Sequence, residues 1–548
     1  RSRRDVPAFG GRRNRERKMV NLSAITERRA YNAASDFVDA NVRAGRSNKV
    51  AFKEGNRSLT YGELQEESCR FASGLKALGF GHEARMLMLA LDTIEFPIAF
   101  WGAIRGGVVP VPVNTLLAAE QYAYMIEDSR AAVLFVSEAL AKTVEPALPK
   151  MSWLKAVIVV GDKKVISAGT LPVYSFDEVV AKGKADLFTA PTLSDEVAFW
   201  LYSSGSTGAP KGTKHIHSSL MYTARTYADQ VLGMKESDVI YSAAKLFFAY
   251  GLGNAMTFPM AVGASTVLLS GRPTPDSVFD IIKNEQPSIF FGVPTLYAAL
   301  LADKRATKGA GSANLRLCIS AGEALPPHVG ESWKKQVGLD ILDGIGSTEM
   351  LHIFLSNSPK ALRYGTSGKP VPGYDAKIVG DDGKECGVDE IGELIIRGAS
   401  AAEGYWNQRE KSRRTFAGEW TYTGDKYVRD ADGFLRCCGR TDDMFKVSGI
   451  WVSPFEVEAA LVSHEAVLEA AVIGHEDSDG LLKPKAYIVL KEGFAQNDAL
   501  FESLKAHVKD KAGAWKYPRW IDVRADLPKT ATGKIQRFKL REEDAGSA

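Results

Sequence analysis

The run Tyr202-Ser203-Ser204-Gly205-Ser206-Thr207-Gly208-Ala209-Pro210-Lys211-Gly212 gathers the groups that bind phosphate. Its glycines permit tight turns and close backbone approach, so that successive N–H groups can face an anion. The hydroxyls of Ser203, Ser204, Ser206 and Thr207 and the Lys211 ammonium add further donors. Lys211 is followed by glycine rather than by Ser or Thr, and the interval from Gly205 is wrong, so this is not a Walker A loop. A flexible Ser/Gly connector is the rival reading. The apolar, strand-like residues 197–201 just before the run argue for an ordered, functional loop instead.

The run resembles the phosphate loop of the acyl-adenylate-forming superfamily, which includes acyl- and aryl-CoA synthetases, peptide-synthetase adenylation domains and firefly luciferase. Downstream, Gly344-Ile345-Gly346-Ser347-Thr348-Glu349 resembles its aromatic-Gly-x-Thr-Glu element, and Tyr422-Thr423-Gly424-Asp425 its Thr-Gly-Asp. Gly439-Arg440-Thr441-Asp442-Asp443 resembles its hinge, and Pro528-Lys529-Thr530-Ala531-Thr532-Gly533-Lys534 its C-terminal lysine loop. The elements stand in the family's order from Tyr61 to Arg537.

The resemblance implies a chemistry that these residue types suit. Glu349 offers a hard oxygen ligand for Mg2+ bridging ATP phosphates; alone it would read as a surface ion pair. Asp425 suits both ribose hydroxyls but alone would read as a turn residue. Arg440 would reach ribose or phosphate, with a domain-interface ion pair as the alternative. Lys534, on a mobile C-terminal domain, would enter between the substrate carboxylate and the α-phosphate, where a cation offsets charge as it develops. Lys534, Glu349 and Thr207 are thus the expected catalytic residues. Where the family usually has an adenine-stacking aromatic this chain has Ile345, so Gly322-Glu323-Ala324 and Asp343-Gly344 become the expected frame of the base.

Two further stretches bear on the acid and the acceptor. Ala249, Tyr250, Ala321, Gly346 and Ile353 would leave a short, flat slot suited to a benzene ring, with His352 closing one end or simply buried as structure. Residues 446–454 resemble the hinge loop of bacterial aryl-CoA ligases, benzoate:CoA ligases in particular. That resemblance implies that Ser448, Gly449 and Trp451 line the pantetheine path, unless Trp451 only anchors the C-terminal core. The expected reaction converts an aromatic acid, benzoate first, to acyl-AMP and then to a CoA thioester, with ATP, Mg2+ and coenzyme A. The rivals are another small carboxylate, a carrier protein as acceptor, or a silent nucleotide-binding protein.

Elements able to position these residues are legible. Short aliphatic runs alternate with helical stretches, the pattern of an α/β protein. The run 86–91, an apolar helix over 95–105 and the run 108–111 read as a β-α-β crossover. From residue 385 the pattern turns to Gly-broken hairpins, and after Arg440 to a compact α+β unit. A large N-terminal domain with parallel or mixed sheets and a β-rich subdomain (19–441) and a small, mobile α+β domain (442–548) hinged at Asp442 are expected. The Arg-rich residues 1–18 read as a vector-derived or upstream remnant, with a transit peptide as rival.

The chain has 548 residues, and its net charge of +3 stands against 69 basic and 66 acidic residues, so no global field marks it for nucleic acid or an anionic membrane. Five cysteines without ligand spacing read as reduced, buried thiols. No uninterrupted apolar stretch is long enough to span a bilayer. A cytoplasmic monomer or homodimer acting on small molecules is expected.

Overall fold

The computed structural model describes residues 21–203, 209–447, 450–478, 481–529 and 535–546. Two sheets with parallel cores build the large lobe. In the first, the strands Ile341–Gly346, Leu317–Ser320, Ile289–Gly292, Val239–Ser242, Ser265–Leu268 and Val50–Glu54 lie side by side and parallel. Antiparallel strands complete its edges, Ile353–Ser356 among them. The second sheet is all parallel and runs in the order Val109–Pro112, Arg85–Leu89, Val133–Ser137, Ala156–Val160, Val173–Ser175. Its first crossover is the expected one, Arg85–Leu89 and Val109–Pro112 joined by the helix Glu95–Arg105.

That helix is apolar on every side because its surroundings are protein on every side: ten of its residues, Phe96 to Arg105, are buried. Trp101 stacks on Phe37 with centroids 5.0 Å apart. Each such large apolar side chain contributes about 2 kcal/mol through the area it removes from water. Arg105 is tolerated there because Asp39 takes both its Nη atoms, at 2.6 and 3.2 Å, and the Phe188 carbonyl takes a third bond at 2.9 Å.

The β-rich subdomain is one antiparallel sheet, Asp375–Val379, Gly392–Arg397, Trp420–Arg429 and Phe416–Ala417, with Leu435–Arg440 on Trp420–Arg429. It begins at Asp375, ten residues before the Gly-broken pattern becomes visible at residue 385. The small C-terminal domain opens with the hairpin Phe445–Val447/Ile450–Val452 and continues as Val467–Glu476, Leu482–Leu490 and Trp520–Val523. The helices Pro454–Val462 and Asp498–Ala512 cover its core around Val457, Leu461, Val472, Ile488 and Leu504. Ser453 caps the first of these helices by accepting from the Glu456 N–H at 3.3 Å, with Pro454 at the position where a missing N–H costs nothing. Of the five free cysteines, Cys69, Cys318 and Cys438 are buried, whereas Cys386 and Cys437 are only half-buried, a correction to the expectation for all five.

Candidate functional site

The phosphate loop joins two antiparallel strands, Val197–Ser203 and Lys211–Ile216. The ladder pairs Ser203 with Lys211 and Tyr202 with Gly212, which sets the residues flanking the loop side by side. The two-residue strand Gly404–Tyr405 adds to the far edge opposite Lys214 and Thr213. Tyr405 thereby reaches Glu349: its hydroxyl donates to Glu349 Oε1 at 2.7 Å, and Ser203 Oγ donates to the same oxygen at 3.1 Å. The Lys211 ammonium lies 4.3 Å from the centroid of the Tyr405 ring. Burial pushes the Lys211 pKa down, the Glu349 carboxylate opposes that shift, and the charges of Lys411 and Arg440 add to it. Ser204, Gly205, Ser206, Thr207 and Gly208 lie outside the described residues.

Glu349 is held from behind, its carbonyl accepting from the Ala402 N–H at 2.8 Å. The turn after it closes on the Thr348 carbonyl, which accepts from Leu351 N at 3.1 Å, with Leu351 at φ 67°. Hydroxyls, an ammonium and one carboxylate converging in this way suit a polyphosphate and its cation. Among the described residues no three His, Cys, Asp or Glu side chains gather as a metal cage. One carboxylate fits Mg2+, which typically takes its other ligands from phosphates and water.

Asp425 and Arg440 are partners across the Trp420–Arg429/Leu435–Arg440 ladder, and Arg440 Nη1 donates to Asp425 Oδ1 at 2.9 Å and to the Thr423 carbonyl at 3.3 Å. Asp425 foremost raises the Arg440 pKa, and Glu349 also contributes, so this pair stands within electrostatic reach of the phosphate cluster. The frame expected around a base is assembled too. The turn Gly322-Glu323-Ala324, with Gly322 at φ 99°, leads into Leu325, whose N–H donates to buried Asp343 Oδ2 at 3.3 Å. Burial raises the Asp343 carboxyl pKa well above the ordinary value, and Gly344 and Ile345 follow it on the same strand. Ile345 is half-buried opposite Leu355.

The residues expected to line the acid slot also converge. Gly346 pairs with Ile353, and a Cβ at Gly346 would come within 2.5 Å of the His352 carbonyl, which explains the glycine. Ala249 and Tyr250 are half-buried on the one-turn helix Ala249–Leu252, and the Tyr250 hydroxyl donates to the Gly292 carbonyl at 3.2 Å. Ala321 is buried at the end of Leu317–Ser320, between the strands that end in Gly292 and Gly346. His352 is buried among Tyr227, Tyr250 and Phe258, at centroid distances of 5.5, 5.7 and 4.4 Å. Its Nε2–H donates to the Tyr250 carbonyl and to Asn254 Oδ1 at 3.2 and 3.1 Å, which fixes the tautomer. Burial presses its pKa down to about 3, so it is a neutral wall.

Not every expected residue joins these clusters. Lys534, Ser448 and Gly449 lie outside the described residues. Trp451 lies outside the C-terminal core: it packs against a cluster formed by Val428 and Cys438 of the β-rich subdomain with Met444 of the joining turn. Asp442 is exposed in the turn between Leu435–Arg440 and Phe445–Val447. Residue-by-residue reading missed Tyr405, which completes the Glu349 cluster from 56 positions away, and Asn254, which orients His352 from 98. Only the Gly404-Tyr405 strand before a basic helix hinted at the first. Nothing local marked the second.

A hairpin that sets Ser203 and Lys211 near Glu349, the Asp425/Arg440 pair and the cluster of Tyr250, Gly346, His352 and Ile353 suit a nucleotide-dependent, carboxylate-activating enzyme. Residues 38–406 match the AMP-binding enzyme family and residues 456–534 the AMP-binding enzyme C-terminal domain, and the chain belongs to this acyl-adenylate-forming family. It is 54% identical over 519 residues to a 4-hydroxybenzoate–CoA/benzoate–CoA ligase of Rhodopseudomonas palustris, covering 94% of this chain and 95% of the relative. It is also 54% identical over 513 residues to a benzoate–CoA ligase of Thauera aromatica, covering 93% and 96%. A crystal structure of a benzoate CoA ligase from Burkholderia xenovorans superposes with a TM-score of 0.84 at 48% identity, covering 93% of this chain and all of that one. No helix among the described residues is long and apolar enough to cross a membrane.

Proposed function

We propose that the chain is an AMP-forming acid:CoA ligase that activates benzoate with ATP to benzoyl-AMP and transfers the acyl group to coenzyme A, releasing AMP and pyrophosphate. The observation that carries this is the convergence of Ser203, Lys211 and Tyr405 on Glu349 beside the slot of Tyr250, Gly346, His352 and Ile353. The CoA ligases of this family use ATP, Mg2+ and coenzyme A. The aromatic acids named for the two relatives supply the substrate class.

In this reading Ser203 and Lys211 bind the β- and γ-phosphates, and Glu349 would hold Mg2+, which when bound offsets charge on the departing pyrophosphate. Asp425 binds the ribose, and the 322–324 turn with Asp343, Gly344 and Ile345 frames the base. A carboxylate oxygen of benzoate attacks the α-phosphorus as the bond to the bridging oxygen breaks, and the Lys534 ammonium stabilises the charge that develops there. The coenzyme A thiolate then attacks the acyl carbonyl and AMP leaves. A neutral His352 suits the apolar ring, since a buried imidazolium would cost far more than a neutral wall.

The two half-reactions are separated by rotation of residues 442–548 against 19–441 about Asp442. Support comes from the joint itself, the short exposed turn at Asp442 between Leu435–Arg440 and Phe445–Val447. The rotated state brings Ser448, Gly449 and Trp451 to the pantetheine chain. A cytoplasmic setting suits the five free thiols.

The test is acid-dependent ATP–pyrophosphate exchange with benzoate, 4-hydroxybenzoate, 2-aminobenzoate, cyclohexanecarboxylate and butyrate, each with and without coenzyme A. Benzoate should give the highest kcat/KM and yield thioester only with coenzyme A. Exchange with none of the acids would overturn the reading, and exchange without thioester would transfer the acceptor role to a carrier protein.

A further inference from the structure

The two arms of the phosphate hairpin are gripped by one element that carries none of the expected site residues, the helix Ala119–Ser129. From its last two turns Asp128 Oδ2 accepts from the Tyr202 hydroxyl at 2.7 Å, and the Met125 carbonyl lies 3.3 Å from the same hydroxyl. The Tyr124 hydroxyl donates to the Pro210 carbonyl at 3.2 Å. Tyr202 immediately precedes Ser203 and Pro210 immediately precedes Lys211, so each bond ends one residue from a group of the Glu349 cluster. The grip is tied to the third strand as well. The Asp128 carbonyl accepts from Trp406 Nε1 at 2.8 Å, Trp406 N–H donates to the Gly212 carbonyl at 2.7 Å, and the rings of Trp200 and Trp406 are 4.9 Å apart.

We propose that Tyr124 and Asp128 are positioning residues for the adenylation half-reaction, holding the two arms in register so that Ser203 and Lys211 stay aimed at Glu349. The inference rests on the ligase reading above. Neither residue touches Glu349, and both act through the strand residues beside the phosphate ligands. Preorganised donors stabilise a polyphosphate because no reorganisation is needed when it binds, so a hairpin arm freed by one bond loses alignment rather than charge. The loss should therefore appear on ATP and pyrophosphate, and not on the acid, whose slot is built from other strands.

The experiment compares Tyr124→Phe, Asp128→Ala and Asp128→Asn with the parent chain in two assays: benzoate-dependent ATP–pyrophosphate exchange, and thioester formation from supplied benzoyl-AMP and coenzyme A. Asp128→Ala should raise the KM for ATP about tenfold and Tyr124→Phe about threefold, the range expected for one hydrogen bond. The KM for benzoate and the thioester rate should stay within twofold of the parent. Asp128→Asn, whose amide oxygen can still accept from Tyr202, should recover most of the loss. An unchanged ATP KM in both Tyr124→Phe and Asp128→Ala, or an equal fall in both half-reactions, would overturn the proposal. Thermal melting of each variant separates a folding defect from misalignment. A parent chain inactive in exchange would refute the ligase reading, whereas an active parent with unaffected variants would refute only this inference.

Discussion

Two hairpins, one in the large lobe and one at the start of the small domain, are secured by different means. The phosphate hairpin is packed into protein, with Trp200 buried, Tyr202 half-buried and Tyr405 of the adjoining strand buried, and its anchors are hydrogen bonds from tyrosine hydroxyls, a backbone amide and an indole. The hairpin Phe445–Val447/Ile450–Val452 meets the large lobe through the packing of Trp451 and, beside it, through charge. Lys446 Nζ lies 3.6 Å from the Asp381 carboxylate and 4.6 Å from the Trp451 ring, while Lys426 lies 3.1 and 5.4 Å from the same two groups. A second ionic contact follows, with Arg436 and Lys516 sharing the Glu456 carboxylate. Exposed ion pairs are worth about 0–1 kcal/mol each, whereas stranding a buried polar group costs about 1–3 kcal/mol. Contacts of the second kind suit a site that is held fixed, and contacts of the first suit a domain that is released, as proposed above.

The harshest test of that contrast removes the cation that the small domain is proposed to supply to adenylation. Lys534→Ala should lower acid-dependent exchange about a thousandfold, as deletion of one preorganised charge-stabilising donor does. Thioester formation from supplied benzoyl-AMP should persist. If both rates fall together in folded protein, the small domain does not divide its labour, and the distinction between fixed and released hairpins loses its functional meaning.

Sequence reading singled out candidate site residues where information is local. The loop at 202–212, Glu349, Asp425 and Arg440 stand in short motifs whose residue types already suit phosphate, metal and ribose, and the helix Glu95–Arg105 and its crossover follow from apolar patterning alone. What escaped were partners fixed only by tertiary packing. Tyr124 and Asp128 reach the hairpin across 86 and 74 residues, and no spacing rule connects them to Ser203 or Lys211. The loop's context escaped too: apolar residues before it revealed the first strand, while Lys211–Ile216, with its two lysines and a buried histidine, does not alternate plainly enough to announce the second. Trp451 illustrates the limit of composition. Its sequence context left a wall of the pantetheine path and an anchor of the C-terminal core both open, and neither reading pointed to its packing beside Val428 and Cys438.

A middle-sized effect sharpens the large-lobe half of the comparison. His217 is buried and neutral, its Nδ1 accepting from the Ala33 N–H at 3.2 Å, and burial presses its pKa down to about 3. Unfolded histidine titrates near 6.5, so the unfolded chain binds the proton first, and the stability this residue confers is present above about pH 6.5 and lost as pH falls toward 3. His217→Asn keeps an acceptor but cannot titrate. In urea melts the stability difference between parent and variant should shift by about 1 kcal/mol in the variant's favour between pH 7.0 and 5.5. A difference independent of pH would mean that the imidazole is solvated and the lobe looser than its packing indicates.

The smallest expected effect probes the ionic side. Asp381 is exposed and bridges Lys426, itself buried in the large lobe, to Lys446 on the opening hairpin of the small domain. Asp381→Asn leaves the shape unchanged and removes the charge that both lysines share, so the docked arrangement loses on the order of 0.7 kcal/mol, as for a partly exposed ion pair. If docking favours adenylation, the variant should shift the ratio of exchange to thioester rates about threefold toward thioester formation. Raising ionic strength should move the parent ratio in the same direction and the variant's less, because screening acts on the pair the variant lacks. A ratio unmoved by both the substitution and salt would show that the clasp is ornamental and that release of the small domain is governed by the packing of Trp451 beside Val428 and Cys438.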